Sequence, residues 1–156
     1  MLQKRIIPCL QLVNGSLVKT KKFKDYSYIG DPINTVRIFN ELEVDELCIL
    51  DIRATKNNYQ PNFNLLNEIS NEAFMPMSYG GGITTLDQAK LVFSIGFEKI
   101  IINSSYHFNK NLITEISNHF GSQSVVVSID LYTNFFNQTN AYVNSGTIKL
   151  KENYLD

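Results

Sequence analysis

A parallel α/β fold built from repeated strand–helix units is predicted by three observations. Short apolar runs alternate along the chain with segments that carry apolar residues at helical spacing. The runs are continuously apolar, as in strands covered on both faces, and do not alternate inside and out. Each helical segment is about ten residues long, which suits a crossover helix returning the chain to a parallel neighbour.

The first strand is expected at 5–10, where Ile6-Ile7-Pro8-Cys9-Leu10 forms an apolar run. A Gly- and Lys-bearing stretch follows as a loop to Gly30. Asp31-Pro32 then reads as an N-cap with proline at the first helical position, and Val36, Phe39 and Leu42 share one face of the helix. The second strand, 46–51, leads into a polar loop that ends at Pro61. Phe63, Leu66 and Ile69 mark the next helix. The third strand, 75–79, runs into Gly80-Gly81-Gly82. Thr84 or Thr85 caps a helix holding Leu86, Ala89, Leu91 and Val92, which stops at Gly96. The fourth strand is 99–103. A helix from about Asn109 carries Leu112, Ile113 and Ile116 and ends at Gly121. The fifth strand is 124–130. Beyond it, 131–150 is rich in Asn, Thr and Tyr and contains the turn Asn144-Ser145-Gly146, so it reads as a β-hairpin and not a helix.

The 156 residues suit one domain, 1–156, with hydrophobic residues at 44% and charged residues at 19%. A net charge of −1 and a pI near 6.1 lack the basic excess of a nucleic-acid surface. Lys19, Lys21, Lys22 and Lys24 read as a solvated loop. Cys9 and Cys48 each lie in an apolar run, so both are expected to be buried free thiols. Neither has a partner at metal-ligand spacing, and His107 and His119 read as surface positions on or near the fourth helix. A reduced, cytoplasmic protein is expected. The opening run is too short for a signal peptide or a membrane span.

What stands at the C-terminal end of each strand carries the functional reading. Strand one ends in Gln11, strand two in Asp51, strand three in the glycine triplet, strand four in Asn103-Ser104 and strand five in Asp130. In a closed parallel barrel these ends converge on one mouth, where barrel enzymes place their chemistry. An apolar strand gains nothing by ending in a carboxylate unless that carboxylate is solvated or used. Three successive glycines allow close backbone approach to a ligand and expose N–H groups that can cradle an oxyanion. A phosphate between them and Asn103-Ser104 is the candidate ligand.

Several segments are specific to one family. Lys4-Arg5-Ile6-Ile7-Pro8-Cys9-Leu10, Asp45-Glu46-Leu47 with Leu50-Asp51-Ile52, Gly80-Gly81-Gly82-Ile83, Ile102-Asn103 and the run from Phe120-Gly121-Ser122-Gln123 to Ser128-Ile129-Asp130 resemble the cyclase subunit of imidazole glycerol phosphate synthase. The likeness extends from Met1 to Asp130 and weakens through the hairpin. It implies a (β/α)₈ barrel of which this chain holds the N-terminal half: about four βα units, strand five and the hairpin. It implies an enzyme that takes ammonia from a glutaminase partner and joins it to a phosphorylated ribulosyl substrate, with no metal and no organic cofactor. Asp130 then matches a catalytic carboxylate, and Lys19 a lysine on the loop that closes over substrate. Gly81, Gly82, Asn103 and Ser104 match a phosphate site, and Asp51 a polar residue at the mouth. Arg5, Glu46 and Lys99 match an ammonia gate of charged residues at the opposite barrel end. Glu98 falls where the family faces the glutaminase.

Two features depart from the pattern. The family has a second catalytic aspartate where this chain has Gln11, and glutamine cannot exchange a proton near neutral pH. Loss of one general acid or base costs a factor of about 10²–10⁴ in rate. Arg53, at the mouth on strand two, is a further change. Both suit a paralogue group that accompanies a glutaminase and a sugar amidotransferase in surface-polysaccharide synthesis, where the barrel serves glutaminase activation and ammonia passage. The second departure is length, since a full barrel takes about 250 residues. A truncated frame, a fragment, or a half-barrel that pairs with itself are the three explanations.

Overall fold

The structure is a computed structural model that describes residues 4–21 and 24–150. Five parallel strands form its spine: β1 (Cys9–Val13), β4 (Leu47–Asp51), β5 (Met77–Gly80), β6 (Lys99–Ile102) and β7 (Val125–Val127). Between them run α1 (Pro32–Glu41), α2 (Phe63–Glu72), α3 (Leu86–Ile95), the short α4 (Ser104–Phe108) and α5 (Asn111–Phe120). Two antiparallel strands, β2 (Ser16–Lys21) and β3 (Lys24–Gly30), extend the sheet beyond β1, giving the order β3-β2-β1-β4-β5-β6-β7. A second sheet, β10-β9-β8, comprises β8 (Asp130–Thr133), β9 (Thr139–Val143) and β10 (Ile148–Lys149). Among the described residues no helix is long and apolar enough to cross a membrane.

The helices begin and end where the sequence supplies caps. The Asp31 carboxylate accepts from the Asn34 N–H at 3.0 Å, with Pro32 at the first helical position. Thr85 and Gln88 form a reciprocal capping box on α3, which stops at Gly96 in the left-handed region (φ 117°). The helices cover one face of the sheet. Leu10, Leu47, Ile49, Tyr79 and Ile100 pack there against Val36, Leu66, Ile69, Val92, Leu112 and Ile116. Side chains alternate along a strand, so Cys9, Gln11, Cys48, Leu50 and Ile101 fall on the other face, where each is half-buried or exposed.

This uncovered face corrects one expectation. Cys9 is exposed, not buried, while Cys48 is half-buried. The two are paired in register across β1 and β4. A thiol–thiol hydrogen bond holds Cys9 at about 7 and, with burial, pushes Cys48 up. Leu42, placed with Val36 and Phe39 on one helix face, is 64% exposed, and Leu91 of α3 is 49% exposed. The largest difference is at 11–30, read as a loop. It is a hairpin whose turn, Asn14-Gly15, has φ values of 51° and 81°. Asn-Gly is the favoured two-residue hairpin turn because both positions tolerate positive φ. The first strand starts at Cys9, not Arg5. Asp130 opens β8 in the second sheet and does not close strand five. The helical turn α4 precedes the helix expected from Asn109, which begins at Asn111. Lys22 lies outside the described residues.

Candidate functional site at the strand C-termini

Asp51, Gly81, Gly82, Asn103, Ser104 and Asp130 come together at the C-terminal ends of the parallel strands. They line a cavity of about 110 Å³ with Thr55, Ser105, Ser128 and Ser145, and Leu50 and Ile101 form its apolar floor. The convergence follows from topology. Adjacent parallel strands β4, β5 and β6 end side by side, and each loop leaves from the same edge.

The two carboxylates are held differently. Asp51 Oδ1 accepts the N–H groups of Arg53 at 3.1 Å and Ala54 at 3.0 Å. Burial pushes its carboxyl above the ordinary range, and those two donors pull the other way. Burial likewise raises Asp130, opposed by a hydrogen bond from the Asn103 side chain. A raised carboxyl is better poised to give and take a proton near neutral pH. The Ser104 hydroxyl is fully engaged: it donates to Asn103 Oδ1 at 3.0 Å and accepts the Asn144 N–H at 2.8 Å. Ser145 donates to the Ile52 carbonyl at 3.1 Å. The turn between β9 and β10 is thereby latched onto the cavity rim.

The glycine triplet is explained in part by packing. A Cβ on Gly81 (φ 128°) would lie 2.5 Å from the Asp51 carbonyl oxygen, and one on Gly82 (φ 70°) would strike the Tyr59 carbonyl. Both positions therefore demand glycine before any ligand is considered, which keeps their backbone thin at the cavity wall.

Gln11 and Lys19 do not line this cavity. Gln11 sits mid-strand in β1 and its Oε1 accepts the Thr20 hydroxyl at 3.0 Å. Lys19 is an exposed residue of β2, in register with Ser27 on β3. At the opposite end of the sheet, Glu46 immediately precedes β4 and is 4% exposed. Its Oε2 takes Lys99 Nζ at 2.6 Å and Arg5 Nη1 at 3.6 Å. The three residues named as the gate do meet, although only Lys99 opens a strand. Glu98, beside them, is exposed. Thr55, Ser128 and Ser145 were not anticipated. Ser128 stands two residues before Asp130, and the Asn144-Ser145-Gly146 turn signal pointed to a hairpin without placing it on the rim.

Residues 5–156 match the family model described as "Histidine biosynthesis protein". The chain belongs to the histidine biosynthesis protein family. The fold of that family is a (β/α)₈ barrel, of which β1, β4, β5, β6 and β7 are successive strands, here forming an open sheet. The chain is 49% identical over 156 residues to a Pseudomonas aeruginosa protein named "Putative imidazole glycerol phosphate synthase subunit hisF2", covering 100% of this chain and 62% of that one. It is 53% identical over 130 residues to a HisF-named protein of Leptospira borgpetersenii, covering 83% and 51%. It is 37% identical over 146 residues to the imidazole glycerol phosphate synthase subunit HisF of Streptococcus mutans, covering 94% and 58%. The chain thus spans about half to three-fifths of the length of these relatives and is a HisF-like N-terminal half.

Proposed function

We propose that the chain supplies the first phosphate subsite and one catalytic carboxylate of a cyclase subunit of the imidazole glycerol phosphate synthase type, acting on a phosphoribulosyl substrate with ammonia from a glutaminase. The observation that carries this reading is the single cavity holding Asp130, Asn103 and the thin Gly81-Gly82 wall. In this reading Asp130 is the general acid and base, and its raised carboxyl suits proton exchange at working pH. A phosphate would take backbone N–H groups of the glycine loop, since the Ser104 hydroxyl is already engaged. Lys19, on the exposed hairpin, would reach substrate only when the hairpin moves over the mouth. Glu46 with Lys99 and Arg5 would gate ammonia at the other end, where Glu98 would meet the glutaminase.

A second reading is favoured by one observation. Gln11 is fixed to Thr20 and offers no exchangeable proton, so the ring-closing step lacks its second acid–base group. The barrel would then activate a glutaminase and pass ammonia to a sugar amidotransferase in surface-polysaccharide synthesis. A third reading is that this chain is inert by itself.

One experiment separates these readings. The chain, and a version completed with a related C-terminal half, are mixed with a glutaminase, and ammonia release and imidazole product are measured with and without the ribulosyl nucleotide. Imidazole glycerol phosphate formed by the completed version supports the cyclase reading. Stimulated ammonia release without that product refutes it and supports channelling. No effect in either assay supports the inert state.

A further inference from the structure

A second cavity, of about 200 Å³, shares Asp51 with the first. The β1–β2 turn (Asn14, Gly15), the loop before α2 (Tyr59, Gln60, Asn62) and Arg53 form its walls. Its polar side chains are amides, the Tyr59 and Tyr79 phenols and one guanidinium, and Asp51 is its sole acid among the described residues. Asp51 spends Oδ1 on the Arg53 and Ala54 N–H groups.

Arg53 is held in an unusual way. Its Nε donates to the Tyr26 hydroxyl at 3.0 Å, and its guanidinium carbon stands 4.7 Å from the Tyr26 ring centroid. An exposed guanidinium normally swings freely; one stacked on an aromatic face and pinned through Nε has lost most of that freedom already. The two Nη groups take no carboxylate or carbonyl partner among the described residues. Tyr26 belongs to β3, and the neighbouring β2 carries Lys19 and Lys21, both exposed. Asp25 on β3 is the opposing charge on this hairpin. Arg53 is the one cation lining this cavity among the described residues, a rigid fork of donors left unspent.

We infer that Arg53, braced by Tyr26, is an oxyanion subsite that binds a phosphate or carboxylate group of a small ligand beside the second cavity. A guanidinium fork matches two oxygens of either group bidentately, and fixing the fork beforehand lowers the entropy lost on binding. The subsite stands apart from the glycine cradle across Asp51 and holds whether or not a phosphate occupies that cradle.

The test is a site-resolved titration of the full chain by ¹H–¹⁵N correlation spectroscopy, with inorganic phosphate in one arm and succinate in the other. Chloride at matched ionic strength is the control. Saturable shifts of the Arg53 Nε–H and of the amides around residues 59–62 are expected. The tighter arm tells phosphate from carboxylate. Arg53→Gln should weaken these shifts at least about tenfold, because a charge-assisted pair is lost, while Arg53→Lys retains part of the binding. Tyr26→Phe, which keeps the ring and removes the hydroxyl, should weaken binding less than Arg53→Gln. Equal shifts with chloride, or an unmoved Arg53 Nε–H in wild type, would overturn the inference even if the variants fail to fold. Shifts confined to the Gly81 and Gly82 amides would also overturn it and leave the glycine cradle standing.

Discussion

Glu46 is the one charged residue buried among the described residues, and the two cations beside it differ in what they contribute. Its side chain is 5% exposed, that of Lys99 28% and that of Arg5 65%. Lys99 lies at 2.6 Å and Arg5 at 3.6 Å. Removing one partner of a buried pair costs about 3–5 kcal/mol, because the other charge stays desolvated. Lys99→Met leaves Glu46 buried with the distant, solvated Arg5 as its partner, so about 3 kcal/mol is expected. Arg5→Ala removes a largely hydrated cation and should cost roughly 0–1 kcal/mol. The double variant Glu46→Leu/Lys99→Met replaces the pair with apolar groups and should recover most of the loss. Urea denaturation of the four proteins gives the values directly. A domain of this size shifts by about 2–4 °C per kcal/mol, so Lys99→Met should also lower Tm by roughly 6–12 °C. Arg5→Ala costing as much as Lys99→Met, or a double variant costing the sum of the singles, would refute the assignment of Glu46 and Lys99 as the desolvated pair.

Three further outcomes are expected. Gly81→Ala places a Cβ 2.5 Å from the Asp51 carbonyl oxygen at a positive φ, so it should destabilise by about 2–4 kcal/mol in the same denaturation assay. Ser104→Ala removes the acceptor of the Asn144 N–H, and amide exchange over 139–148 should quicken while the parallel strands stay protected. Asp130→Asn should stabilise the protein at pH 7 and lose that advantage near pH 3. Native Asp130 holds its proton more tightly than the unfolded chain does, so its ionisation penalises the fold above the native pKa and the penalty fades as pH falls. The gain should be on the order of 0.5 kcal/mol, since the group is partly solvated; an unchanged Tm across the range would show that burial is not what raises this carboxyl.

The parallel core was legible because each βα unit carries its own local signals. Asp31-Pro32, Thr85 with Gln88, and Gly96 mark helix ends by backbone chemistry alone, and the apolar runs of β4 and β6 reflect the helix-covered face. What failed were inferences that depend on which face is covered. Cys9 lies in the same apolar run as Leu10, but only Leu10 points toward the helices; periodicity within so short a run cannot say so. The β1–β2 hairpin was legible in principle, through Asn14-Gly15, and was obscured by the lysines that make 19–24 look like loop. The strand-end argument grouped Asp51, Asn103 and Asp130 in advance. It misplaced Gln11, because β1 runs on to Val13 and leaves that residue in mid-strand.

Gln11 and Arg53, the two residues that depart from the resembled pattern, have a common structural setting. Gln11 is bound by Thr20 of β2, and Arg53 is bound by Tyr26 of β3. Each ties the β2–β3 hairpin to the parallel sheet at a different point. Glutamine at position 11 brings no titratable group to the inner face. Arg53 lines the second cavity, whose lining does not include the glycine wall. At the far end of the sheet Glu46, Lys99 and Arg5 are joined.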